Sequence, residues 1–112
     1  MNLLHVGDTL EFYTDHAGLH RWRWKAANNE IIGSSTEGYS SEAAARQNFE
    51  RERGKDKVTV YQDKKGEWRW RATATNGNIV AAATEGYTSK QNALKNLERH
   101  GYNTAQILED AA

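Results

Sequence analysis

Thr36-Glu37-Gly38-Tyr39 and Thr84-Glu85-Gly86-Tyr87 are the same four residues, 48 positions apart. The register holds on either side without a gap. Tyr13-Thr14-Asp15 meets Tyr61-Gln62-Asp63, and Gly18 meets Gly66. Arg21-Trp22-Arg23 meets Arg69-Trp70-Arg71. Asn48, Glu50 and Arg51 meet Asn96, Glu98 and Arg99. Such agreement within 112 residues is not chance, and the chain reads as a tandem duplication.

Each copy carries the same local signals. Period-two alternation predicts a first strand over Leu10–Thr14 and over Val58–Gln62. Asp15 to Gly18, and Asp63 to Gly66, suit a type I turn closed by a left-handed glycine. Second strands are expected over His20–Ala27 and Trp68–Thr75. Asn28-Asn29 and Asn76-Gly77 read as two-residue hairpin turns, leading to third strands over Glu30–Ser34 and Asn78–Ala82. Ser40 and Thr88 are the expected helix N-caps, and Thr88 with Gln91 has capping-box spacing. The helices are expected to run to Arg53 and His100, stopped by Gly54 and Gly101. Ala45 with Phe49, and Ala93 with Leu97, give each helix one apolar face. The tail around Ala105, Ile107 and Leu108 suits a short last strand. A hairpin with one helix does not close a core alone. The expectation is therefore one α+β domain over 1–112, built of repeats at about 9–53 and 57–110. Both copies would share one antiparallel sheet, with two helices on one face.

Composition excludes several classes. With no cysteine, the chain forms neither a disulfide framework nor a thiolate metal site. Formal net charge is zero, so any nucleic-acid or membrane contact needs a local patch. Apolar runs are far short of a membrane span, and the Met1-Asn2-Leu3-Leu4 start lacks the makings of a secretory leader. A soluble, cytoplasmic protein is the expectation. Residues 1–53 hold six basic and eight acidic groups, and the remainder nine and seven. That mild complementarity suits the copies packing on each other, so a monomer is expected rather than a homodimer.

The order of these signals resembles the YegP-like domain family: strand, Asp-x-x-Gly turn, aromatic-Arg strand, Asn-Gly turn, Glu-Gly-Tyr, helix. The resemblance spans roughly residues 9–110. It is most specific at Gly38-Tyr39-Ser40-Ser41 and Gly86-Tyr87-Thr88-Ser89. It implies three strands, a helix and a strand per copy, with last strands exchanged between copies. It implies a fold and no activity.

Alternation assigns two faces. Leu10, Phe12, Val58, Val60 and the tryptophans Trp22, Trp24, Trp68 and Trp70 belong under the helices. The opposite parity collects Glu11, Tyr13, Arg21, Arg23 and Lys25, then Thr59, Tyr61, Glu67, Arg69 and Arg71. Tyr13, Arg21, Arg23, Lys25, Tyr61, Arg69 and Arg71 form the candidate binding face. Interleaved tyrosines and arginines on an open sheet can stack bases and hold phosphates, or take a smaller anion. The same residues also serve as an ordinary solvated face of cross-strand ion pairs and Arg–Tyr stacks.

Nothing in the pattern reads as an enzyme. His5, His16, His20 and His100 do not recur between copies, and His100 is expected to favour a helix dipole. Asp15 with Asp63, and Glu37 with Glu85, recur as carboxylates but are explained by turns and helix starts. Asn48 and Asn96 read as buried amides tying helix to loop, with a ligand contact as the alternative. No cofactor or metal is expected. The expectation is a small non-enzymatic interaction module whose partner is a protein or a single-stranded nucleic acid.

Overall fold

The computed structural model describes residues 3–108. The chain divides into two compact units, Met1–Arg51 and Glu52–Ala112, one per repeat. Unit one runs β1 (Thr9–Thr14), β2 (His20–Lys25), β3 (Ile31–Ser34) and α1 (Glu42–Glu50). Unit two runs β4 (Lys57–Gln62), β5 (Trp68–Thr73), β6 (Ile79–Ala82) and α2 (Lys90–Arg99), then a 3-10 turn over Thr104–Gln106.

The strands pair as two antiparallel three-stranded sheets, β1-β2-β3 and β4-β5-β6. This corrects the single shared sheet expected from the sequence. Period-two alternation decides which face is apolar, but not which edge joins which. Each unit has its own core. In unit one, Trp22, Trp24, Ile32, Ala45 and Phe49 are buried together. In unit two the cluster is Val58, Val60, Trp70, Ala72, Ala81, Leu97 and Tyr102. Trp68 is only half-buried, packed at the margin of that cluster.

The first hairpin turn forms as expected. Asp15 N–H donates to Leu19 O at 2.9 Å, Gly18 N–H donates back to Asp15 O at 3.0 Å, and Gly18 has φ 78°. The second turn differs from the two-residue expectation. Ala26 N–H donates to Glu30 O and Asn29 N–H to Ala26 O, both at 2.9 Å. A two-residue type I′ turn needs positive φ at both central residues. Here Asn29 (φ 69°) is left-handed and Asn28 is not, and Gly77 (φ 89°) takes the same place in the copy. Both hairpins of each unit therefore use one device, a type I turn closed by one left-handed residue.

The Glu-Gly-Tyr motif is explained by close approach. Tyr39 and His20 exchange backbone hydrogen bonds at 2.7 and 2.8 Å, as do Tyr87 and Trp68. A Cβ on Gly38 would sit 2.5 Å from Leu19 Cβ, and one on Gly86 2.7 Å from Glu67 Cβ. Glycine lets the chain cross the start of the middle strand on its way to the helix.

Helix caps fall one residue later than expected. Ser41 and Ser89 are the N-caps, accepting from Ala44 N–H and Asn92 N–H at 3.1 Å. The box expected at Thr88 and Gln91 is replaced by this simple cap. A full capping box forms instead at Asn103 and Gln106. α2 ends as a Schellman motif: Gly101 has φ 98°, its N–H donates to Glu98 O, and Tyr102 N–H reaches Leu97 O at 3.2 Å. α1 stops at Glu50, because Arg51 already has extended ψ 154°; Gly54 is not its cap. The tail strand is reduced to one parallel bridge, Ile107 to Val58, with Leu108 N–H donating to Val58 O at 2.8 Å. The tail thus pairs with β4 of its own repeat, and the described residues show no exchange. Among the described residues, no helix is long and apolar enough to cross a membrane.

Candidate functional site

The seven candidate residues lie on the uncovered sheet faces. In β1 and β2 the register sets Tyr13 opposite Arg21 and Glu11 opposite Arg23. In β4 and β5 it sets Tyr61 opposite Arg69 and Thr59 opposite Arg71. Each unit then builds the same two contacts. Asp15 Oδ2 accepts from Arg21 Nε at 2.7 Å, and Asp63 Oδ2 from Arg69 Nε at 2.8 Å. Arg23 lies 4.9 Å from the Tyr13 ring centre and Arg71 5.0 Å from that of Tyr61.

These contacts alter the expected platform. Each tyrosine ring already carries a guanidinium, so neither is a bare stacking surface. Arg21 and Arg69 are clamped by the turn aspartates, which also accept backbone N–H bonds within their own turns. The arginine bonds, helped by those N–H donors, hold both aspartates below the ordinary carboxylate range. They stay ionised at neutral pH, which suits a clamp and not an acid–base pair. In unit one Glu11 adds a second neutralisation. It accepts from Arg23 at 3.1 Å and lies 3.4 Å from Lys25 Nζ. The Arg23 bond, with Lys25 beside it, lowers its pKa.

The copies part at these positions. Thr59 stands where Glu11 stands in the first repeat, and Thr73 where Lys25 stands. Arg71 is exposed, and among the described residues no carboxylate pairs with it. Sequence reasoning passed over one further shared feature. Ile31 and Ile79, 48 positions apart, are 40% and 46% exposed opposite Lys25 and Thr73. Their identical offset was the signal. In unit one an open depression of about 710 Å³ lies beside the face, lined by Tyr13, Thr14, Asp15, His16, Ala17 and Arg21.

The other candidates take structural roles. Asn48 and Asn96 tie helix to core strand, not helix to loop. Their Oδ1 atoms accept from Trp22 Nε1 and Trp70 Nε1, each at 2.8 Å. His100 is fully buried, 5.0 Å from the Trp70 ring centre and stacked on Tyr102. Burial, with Arg53 nearby, pushes its pKa down to about 3. It is a neutral core ring at pH 7, not the charged partner of a helix dipole that its position implied. Tyr102 donates to buried Asp56 at 2.7 Å, a link absent from the sequence reading. Glu37 and Glu85 are exposed. Among the described residues, no three His, Asp or Glu side chains gather to hold a metal.

Comparison with known proteins returns fold and no activity. A family model described as a domain of unknown function, DUF1508, matches twice, over residues 15–51 and 63–99. The solution NMR structure of yegP from E. coli, a protein of unknown function, superposes with a TM-score of 0.69. It is 20% identical, with 96% of each chain covered. That of UPF0339 protein SO3888 from Shewanella oneidensis gives 0.64 at 20% identity, covering 91% of this chain and 90% of that one. No curated protein matches the chain.

Proposed function

The chain belongs to the DUF1508 family, in tandem form, and from that premise we propose that it is a small non-enzymatic interaction module, contacting its partner through the Tyr/Arg sheet face. One observation carries the reading. The same pair of contacts, an Asp–Arg clamp beside an Arg–Tyr stack, is built twice at matching distances on surfaces the helices leave uncovered. The clamps stiffen long arginine side chains, which lowers the entropy lost when a partner docks on them. The tyrosines add flat, semi-apolar area of the kind that dominates contact surfaces. The recurring aspartates are already committed to turns and clamps, which leaves them poorly suited to proton transfer.

The test is capture from the native host by immobilised full-length chain. Tyr13→Ala with Tyr61→Ala should abolish retention of the partner, whereas Lys95→Ala on the exposed side of α2 should not. Undiminished capture by the folded double variant overturns the reading. The module is proposed to act as a monomer; a stable dimer by light scattering contradicts that part alone.

A further inference from the structure

The two faces are built alike but their charges are paired differently, and the difference has chemical content. In unit one, Glu11 takes up both Arg23 and Lys25. In unit two the matching positions are Thr59, Arg71 and Thr73, so the carboxylate opposite Arg71 has gone and, among the described residues, none pairs with its exposed guanidinium. Its stack on Tyr61 is kept at 5.0 Å, and the ring orients it. Lys57, exposed on the same strand face two residues before Thr59, adds a second cation. Thr59 and Thr73 supply hydroxyls opposite and beside Arg71, and exposed Ile79 an apolar edge opposite Thr73.

We infer that the open face of unit two, centred on Arg71 and Tyr61, binds single-stranded nucleic acid, and that the matching face of unit one does not. The inference rests on the reading of this face as the contact surface and names its chemistry. A guanidinium held over a ring offers its N–H edge to a phosphate and its outer plane to a base. Lys57 sits diagonally from Arg71, at cross-strand distances of about 7–8 Å, and gives a second phosphate a cation. An acidic peptide would use the guanidinium edge and leave the plane and Ile79 uncovered. Single strands are favoured over duplex because a stacking plane needs an unpaired base.

Backbone amide shifts of the full chain, titrated with a mixed-sequence single-stranded DNA oligonucleotide at low salt, test this. Shifts are expected on Thr59, Tyr61, Arg71 and Thr73, with Glu11, Tyr13, Arg23 and Lys25 unmoved. Arg71→Ala should weaken binding about tenfold and reduce the slope of log K against log salt by about 1. Thr59→Glu, which installs the first repeat's carboxylate, should silence the site. Glu11→Thr should open unit one and raise the stoichiometry from one to two. Equal shifts on both faces, shifts with polyglutamate but not the oligonucleotide, or no shifts at all each overturn the inference. If the oligonucleotide fails while the tyrosine variants still lose the captured partner, the nucleic-acid assignment falls and the contact face stands.

Discussion

Asn29 and Gly77 occupy the same left-handed turn position, and only one has a Cβ. Left-handed backbone costs an L-residue roughly 1–2 kcal/mol, less for Asn. Asn29→Gly should therefore stabilise unit one by about 0.5–1 kcal/mol, and Gly77→Ala should destabilise unit two by about 1 kcal/mol. Urea midpoints check both. Asn48 and Asn96 act at the same scale. Each removes the need for water at a buried indole N–H, 26 residues away in sequence. Asn48→Ala or Asn96→Ala takes away that acceptor and should cost about 1–3 kcal/mol. The perturbed indole N–H resonance should be Trp22 in one case and Trp70 in the other. An unshifted indole signal contradicts the assignment.

Among the elements, the entry into each helix is the point of least tolerance. The strand start at His20 or Trp68 and the segment before the helix approach until only glycine fits between them. Gly38→Ala places a carbon 2.5 Å from Leu19 Cβ, and neither atom has a torsion to escape by. A loss of about 1–3 kcal/mol is expected, with partial recovery when Leu19→Gly is added. No recovery means the strain lies elsewhere. The helices themselves were legible in outline, since Ala45, Phe49, Ala93 and Leu97 are the buried positions that their i, i+4 spacing marks. Their caps were not, because Ser40 and Ser41, or Thr88 and Ser89, can each supply the side-chain oxygen that accepts a cap hydrogen bond. Only the crossing at Gly38 and Gly86 decides which of the two meets the helix end.

Across the whole molecule the repeats solve one packing problem with different residues. Unit one uses Trp22 and Trp24 edge-on to Phe49, with ring centres 5.1 and 5.4 Å apart. Unit two has Ala72 and Leu97 at the positions of Trp24 and Phe49, and takes its remaining ring mass from His100 and Tyr102. This makes the units differ in acid. The folded pKa of His100 is about 3, below the ordinary histidine value of about 6.5 that applies when the chain is unfolded. Above pH 6.5 both states are neutral there and the stability of unit two is complete. Below it the unfolded chain takes a proton that the folded core refuses, so stability falls by about 1.4 kcal/mol per pH unit down to the folded pKa. The other histidines among the described residues, His5, His16 and His20, are not buried. Urea unfolding between pH 5 and 6.5, above the carboxylate range, read from Trp70 for one unit and Trp22 for the other, should show the slope in unit two alone. His100→Phe should flatten it. The same slope in unit one would contradict the assignment.

The duplication, the three strands and one helix of each copy, and the apolar and open faces of each strand pair were determined by the sequence. They depend on spacing: period two, i to i+4, and a 48-residue offset. The tertiary structure decided what spacing does not encode. Edge pairing was one such matter, giving two three-stranded sheets and a tail bridged to its own β4. The charge of the face was another. The five cations of the face look equivalent along the chain, yet Glu11 neutralises two of them across a strand pair and Thr59 neutralises none. Partners in a sheet meet across strands, so whether a duplicated cation is spent or available is settled only when the strands pair.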